Sequence, residues 1–377
     1  MTLYNRGPAI VLAAGGTGGH LFPAEALAKI LLERNYRVAL MTDIRGATFA
    51  DRLLGAEFYR VDTRRTGGNA LNKAQAAGAM LVGIGQSLRH FQRVAPSLVV
   101  GFGGYPSVPT VLAAQLAGIP TLLHEQNTLM GKANKLLAHF ATAIATSFPQ
   151  VQQASERERA KMVYVGHPVR PEFEALRQES YEPPYEDSPL RILITGGSQG
   201  ASIFADLVPA ALGQLPEHLR ARLSIVQQCR AEDLSRVAAT YRCLNIAAEV
   251  GPFFADLAAR LKQAHLAIGR SGASTVIENA IAGCPSVFVP LATVASDQTT
   301  NALVMEEAGA AIVLRQATLT PEILAARLAE LLDNPFHLAQ MAGAARAAGK
   351  PNAAETLANL VGDLLEQVPT SRLRTAA

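Results

Sequence analysis

Cysteine is scarce and poorly placed for structural work. Cys229, Cys243 and Cys284 are odd in number and form no C-x-x-C pair, which argues against a disulfide framework or a structural zinc site and for a reducing compartment. An excess of one charge is missing as well. The 34 Lys and Arg stand against 31 Asp and Glu, a net +3, which is no electrostatic footprint for a nucleic acid. No apolar run is long enough to span a bilayer. Residues 97–123 carry no charge, but Pro106, Pro109, Pro120 and four glycines interrupt them. The apolar stretch after Arg6 runs straight into glycines and a histidine, which suits a buried first strand better than a secretion signal.

Two nucleotide-binding signatures are incomplete. A G-x-G-x-x-G counted from Gly16 finds Leu21 at its third glycine, and no Gly-Lys-Ser/Thr follows to make a P-loop. No Asp-x-Asp occurs anywhere, so a bound diphosphate would be met by helix N-termini and a cation rather than through a carboxylate-held divalent metal.

The chain of 377 residues, 49% of them hydrophobic, has material for two domains. Short β-rich runs at 9–13, 37–41, 98–101, 121–124, 143–146 and 162–165 alternate with helical patterns, which predicts a parallel sheet covered on both faces. Residues 170–190, with four prolines and many charges, read as a linker. Strand patterns then restart at 191–195, 223–227, 245–249, 266–269, 286–289 and 311–314. The starts "AIVLAAGGTGG" and "RILITGGSQGA" resemble each other, so two Rossmann-like domains facing a cleft are expected, with ligands at the carboxyl ends of both sheets.

In the first glycine loop, a helix is expected to open at Pro23, and the glycines would let a ligand approach the backbone. A plain strand-to-helix turn fits that loop equally well. The stretch "GRSGASTVIENAIAG" is more specific. Ser271, Gly272, Ala273 and Ser274 open a helix whose N-terminus suits a diphosphate, and Glu278 one turn on can accept both hydroxyls of a ribose or simply favour the helix start. Gln298 and Asn301 follow the next strand at the same sheet edge, and Arg170 is the candidate cation.

Taken in order, "GGTGGHLFP", "GGYPS", "HEQN", "GHPVR", "GGSQGA", "RSGASTVIE" and "DQTTNA" resemble the MurG family, the bacterial N-acetylglucosaminyltransferases of glycosyltransferase family 28 that convert lipid I to lipid II. The resemblance covers nearly the whole chain. It implies an α/β GT-B fold, with an N-terminal domain over 1–169, a linker at 170–189, a donor-binding domain over 190–348 and a C-terminal helix in 349–377 packing back on the first domain. It implies metal-independent and cofactor-free transfer from UDP-N-acetylglucosamine, with inversion, to the 4-hydroxyl of the muramyl sugar of lipid I.

Carried over by motif, Thr17, Gly18 and Gly19 approach the donor diphosphate and the acceptor, and Asn127 meets the N-acetylglucosamine hydroxyls. Arg170 and Ser198 meet the nucleotide-diphosphate part, Phe254 offers its backbone to uracil, Glu278 holds the ribose and Gln298 the donor sugar. Asp297 stands where the family commonly has His or Gln, a departure at that neighbour's sugar contact that leaves Gln298 in place. His20 is the candidate general base, with His124 and Glu125 as rivals.

The family is peripheral on the cytoplasmic face of the inner membrane. Leu81, Ile84, Leu88 and Phe91 fall on one helical stripe flanked by Lys73, Arg89 and Arg93, which can dock on anionic lipid or face a core. Two other functions remain open on the residues alone. Asp43, at the end of the second strand, could bind ribose in a nicotinamide-dependent oxidoreductase, and a two-lobed sugar-nucleotide binding protein would carry the same loops without turnover.

Overall fold

The computed structural model describes residues 7–16, 18–44, 46, 53–64, 70–185, 187–197, 200–293 and 296–367, with the backbone alone for 70, 71, 73, 292, 293, 296 and 297. Backbone contacts divide the chain into two units, Met1–Arg170 with Asn352–Ala377, and Pro171–Pro351.

The first unit is built on β1 (Ala9–Ala13), β2 (Arg37–Thr42), β3 (Glu57–Arg60), β4 (Pro96–Gly101), β5 (Thr121–Glu125), β6 (Ala143–Thr146) and β7 (Met162–Tyr164). They pair in the order β3-β2-β1-β4-β5-β6-β7, all parallel. Period-two alternation divides its core. Ile10 and Leu12 of β1 join one buried cluster, and Ala9, Val11 and Ala13 join the other.

The first face is covered by α1 (Gly18–Glu33) and the C-terminal helix Ala353–Glu366, through Leu21, Leu27, Leu31, Leu357 and Val361. The second is covered by α2 (Ala70–Val94), α3 (Val108–Leu116) and α4 (Lys132–Leu137), through Phe91, Val94, Val111 and Leu137.

The second unit repeats the plan. Its strands are β8 (Leu190–Thr195), β9 (Leu223–Gln228), β10 (Ala247–Gly251), β11 (Leu266–Gly269), β12 (Ser286–Phe288) and, after a small antiparallel pair β13 (Ala292–Thr293) and β14 (Ser296–Asp297), β15 (Ala311–Val313). The order β10-β9-β8-β11-β12-β15 matches that of the first sheet, strand for strand from each first strand outward. Each sheet therefore has one topological switch point, between β1 and β4 and between β8 and β11, where open α/β sheets take their ligands.

Besides β3, β13 and β14, which the sequence reading did not anticipate, three elements differ from the sequence expectation. α1 opens at Gly18 rather than at Pro23, which lies inside the helix. As the sixth residue of α1 it lies just past the first amides that have no helical partner, so its missing N–H removes one rung, to the Gly19 carbonyl. The start of the segment read as linker is folded. Pro171–Glu174 is helical and Ala175–Gln178 is a 3-10 turn, Phe173 and Leu176 are buried, and Arg177 donates to the carbonyls of Arg346 and Gly349 at 2.6 and 3.1 Å.

The third difference is in α2. Leu81 is 71% exposed and Leu88 38%, but Phe91 is 6% exposed in the core and Ile84 packs against it. At about 100° per residue, Leu81 and Leu88 lie within about 20° of each other, whereas Ile84 and Phe91 are rotated about 60° and 80° from Leu81, onto the inner flank. Phe91 is therefore no part of an exposed stripe. Arg89 and Arg93 are exposed, and the side chain of Lys73 lies outside the described residues. Among the described residues no helix is long and apolar enough to cross a membrane.

Candidate active site

In the first unit the loops after β1 and β4 meet at the switch point, and His20 is held between them. A Cβ on Gly15 would stand 3.2 Å from the ring's Cδ2, and one on Gly104 would stand 3.0 Å from both Cδ2 and Nε2. Gly104 also has φ +72, so glycine serves there both the backbone and the ring. Nδ1 lies 3.0 Å from the Phe102 carbonyl. A carbonyl only accepts, so Nδ1 carries the proton and the neutral ring presents its lone pair at Nε2. Burial lowers the His20 pKa below 6.5, against the Phe102 carbonyl and the Gln126 side chain, which raise it. The third residue of α1 also sits at the positive end of the helix dipole, which opposes imidazolium.

The same loop shapes its surroundings. A Cβ on Gly18 would come within 2.8 Å of the Phe22 ring, and that ring lies under the Arg170 guanidinium at 4.6 Å, in cation–π range. Gly19 borders open space. Thr17 and Ser198 lie outside the described residues.

The "HEQN" loop after β5 does something other than expected. Glu125 is buried, and its two oxygens accept from the Asn127 N–H at 3.0 Å, the Gly131 N–H at 2.9 Å and Asn134 Nδ2 at 2.8 Å. Burial pushes its pKa up against those hydrogen bonds. Both oxygens accept hydrogen bonds that close the loop onto the start of α4, so the carboxylate expected as a rival base is engaged in holding its own loop.

His124 is also disqualified. It is fully buried, burial pushes it down to about 4, and its Nε2 faces the Gly166 carbonyl at 3.5 Å and Ser147 Oγ at 3.4 Å. Ser147 in turn meets His167 Nδ1 at 3.0 Å, and burial holds His167 well below its ordinary pKa. Asn127, half-buried, stands beside the Glu125 carboxylate. Asp43 accepts from the Gly46 N–H at 3.3 Å, so its carboxylate helps to close a local turn.

The second unit gathers another set at its own switch point. The helix Ala273–Ala282 is capped by Gly272. A Cβ on Gly272 would lie 3.6 Å from Gln298 Nε2, while Gln298 Oε1 accepts from the Leu291 N–H at 3.3 Å. The buried Ser271 donates to the Gln298 carbonyl at 3.0 Å, and Asn301 Nδ2 donates to the Ser271 carbonyl at 3.2 Å. The hydroxyl of Ser271 is thus structural, and Asn301 braces the loop. Ala273 and Ser274 supply the first helical N–H groups, and Glu278, 8% exposed, stands one turn beyond Ser274.

Phe254, after β10, packs under Arg260 at 4.2 Å, which is itself clamped by Glu249 at 2.6 and 2.8 Å. The side chain of Asp297 lies outside the described residues. Sequence reasoning missed Phe102, Gln126 and Asn134. Phe102 immediately precedes "GGYPS" and Gln126 lies within "HEQN", and those positions were the available signal.

Comparison with known proteins agrees with this layout. Residues 10–146 match the glycosyltransferase family 28 N-terminal domain and residues 191–357 its C-terminal domain. A Rhodospirillum centenum protein named UDP-N-acetylglucosamine--N-acetylmuramyl-(pentapeptide) pyrophosphoryl-undecaprenol N-acetylglucosamine transferase is 51% identical over 353 residues, 93% of each chain. A Methylobacterium nodulans protein of the same name is 48% identical over 96% of this chain and 98% of its own. The crystal structure of Acinetobacter baumannii MurG superposes with a TM-score of 0.76 at 32% identity, covering 94% of this chain and 99% of that one. With both halves matched and both sheets in the same order, the chain belongs to glycosyltransferase family 28 and has the family's GT-B fold.

Proposed function

We propose that this chain transfers N-acetylglucosamine from UDP-N-acetylglucosamine to the 4-hydroxyl of the muramyl sugar of lipid I, inverting the anomeric carbon and releasing UDP in peptidoglycan synthesis. The acceptor oxygen forms the new bond to the anomeric carbon, the bond from that carbon to the diphosphate breaks, and UDP leaves with the electron pair. The hydroxyl proton goes to His20 Nε2.

The observation that carries this reading is the 3.0 Å contact of His20 Nδ1 with the Phe102 carbonyl at the ligand-binding edge of the first sheet, which leaves Nε2 as the accepting nitrogen. Thr17, Gly18, Gly19 and Arg170 serve substrate phosphates, and Asn127 serves the transferred sugar. In the second unit the N-terminus at Gly272 to Ser274 takes the diphosphate and Glu278 the ribose. Gln298 takes the sugar, Ser198 the diphosphate and the Phe254 backbone the uracil. UDP release from UDP-N-acetylglucosamine should depend on a lipid I analogue. Tight UDP binding with no acceptor-dependent release would leave only a binding protein, and nicotinamide turnover would restore the oxidoreductase.

The enzyme works as a peripheral protein on the cytoplasmic face of the membrane, docking through Leu81 and Leu88 with Arg89 and Arg93 beside them. Each apolar side chain contributes up to ~1.5–3 kcal/mol when fully buried, and each basic residue about 1 kcal/mol near an anionic surface. A Leu81→Ser, Leu88→Ser double variant should lose at least ~10-fold in co-sedimentation with phosphatidylglycerol vesicles while keeping its melting temperature. Phe91→Ser should instead destabilise the fold. Unchanged vesicle binding in the double variant would remove this face from membrane contact.

A further inference from the structure

We propose that Gln126 is a positioning residue for the transfer: its side-chain amide holds the Phe102 carbonyl and so keeps His20 in the tautomer that leaves Nε2 open to the acceptor proton. The inference rests on His20 being the base. The Phe102 carbonyl is a hub, accepting from His20 Nδ1 at 3.0 Å and from Gln126 Nε2 at 3.1 Å.

The rest of Phe102 is fixed independently of Gln126. Its N–H donates to the Ala13 carbonyl at 2.8 Å, extending the pairing of β4 on β1, and its fully buried ring lies against His124 at 5.5 Å. Gln126 itself is buried, so its amide needs partners, and it finds one at the carbonyl that orients the base.

The Phe102 carbonyl thus occupies the place that the third member of a nucleophile–His–acid triad occupies, accepting from Nδ1 without adding charge, and Gln126 donates to that carbonyl in turn. Phe102 and Gln126 also favour the imidazolium that forms on proton uptake, against burial. The titratable groups on the elements around His20 are His124 and Glu125 at the end of β5, His167 and Arg170 after β7, Tyr105 in the loop after β4, and Glu25 with Lys29 on α1 itself. Of these, His124 and His167 are held neutral by burial, Glu125 is tied into its loop and Arg170 lies over Phe22.

The test is the pH profile of kcat, with UDP-N-acetylglucosamine and a lipid I analogue, in Gln126→Leu and Gln126→Glu, alongside donor KM and melting temperature. Gln126→Leu removes the donor that holds the Phe102 carbonyl and the side-chain contact that raises the His20 pKa. Its kcat should fall about five- to tenfold and its acidic limb should move to lower pH, with donor KM within about twofold of wild type. Gln126→Glu puts a negative charge beside the ring, and its limb should move to higher pH.

Opposite shifts are not produced by a merely structural side chain. Wild-type rates and limbs in both variants would overturn the proposal, and so would lowered rates with unshifted limbs. Should Gln126→Leu lose its fold, Gln126→Asn, which keeps the amide but draws it back from the Phe102 carbonyl, decides by the same lowered rate and shifted limb. His20→Ala separates the two levels. If it keeps the wild-type rate, the base reading falls. If it is inactive while both Gln126 variants behave as wild type, only the role of Gln126 falls.

Discussion

Replacing His20 by alanine should lower kcat about 10²- to 10⁴-fold, the usual range for loss of a general base, and leave UDP affinity close to wild type. The attacking sugar hydroxyl is a poor nucleophile until its proton has somewhere to go, and Nε2 is the acceptor we propose at the switch point of the first sheet. The variant should fold. The ring is only partly buried, and the Phe102 carbonyl that it leaves still accepts from Gln126, so the loss is that of one ordinary hydrogen bond, about 1 kcal/mol.

The wild-type pH profile carries the complementary signature. Burial sets the His20 pKa below 6.5, and the base works only when neutral. The acidic limb of kcat should therefore lie below pH 6.5, with activity kept into mildly acidic buffer and lost as the pH falls through the lowered pKa. A kcat within a few-fold of wild type in His20→Ala would end the base assignment. A large fall in melting temperature would make the residue structural.

Much of this architecture was written in the local pattern of the chain. Twelve of the strands were legible as short β-rich runs, most plainly β1, β5, β6 and β11, because a strand buried on both faces has little freedom in what it can contain. The missed β3, "EFYR", is an edge strand with charged ends and half-exposed aromatics, and it lacks that signature. Periodicity marked an apolar stripe on α2 but could not divide it. Leu88 and Phe91 are near neighbours on the helical wheel, and only α2's packing sends one outward and the other into the core.

The candidate site was legible as motifs and illegible as roles. Glu125 was a candidate base, and both its oxygens accept from the N–H groups of the loop that follows it. The support of His20 comes from Gly104, Phe102 and Gln126, far away in sequence. The strand order brings those loops together, and no spacing rule encodes it.

Glu278→Ala should raise the donor KM and weaken UDP binding by roughly 10- to 150-fold, the loss of a charged acceptor of about 1.5–3 kcal/mol, with kcat at saturating donor reduced far less. The argument is geometric. The helix Ala273–Ala282 starts at the carboxyl end of β11, with Gly272 as its cap and the Gln298 amide beside it, so its first N–H groups and positive dipole end suit a diphosphate. Glu278 shares a helix face with Ser274, one turn or about 5.4 Å further along. That step corresponds to the offset between the phosphates and the ribose hydroxyls of a nucleoside diphosphate, and a carboxylate accepts from both hydroxyls at once.

The alternative is that Glu278 only favours the helix start, a contribution of about 0.3–1 kcal/mol. The two readings separate cleanly. A dipole role shows in the melting temperature and leaves UDP affinity intact, whereas a ribose role weakens UDP and spares uracil-free diphosphate. Titration calorimetry of UDP and of pyrophosphate on Glu278→Ala and Glu278→Gln decides it: the glutamine, with one acceptor oxygen, should fall between alanine and wild type for UDP and match wild type for pyrophosphate. Wild-type UDP affinity in the alanine variant would take the ribose away from Glu278.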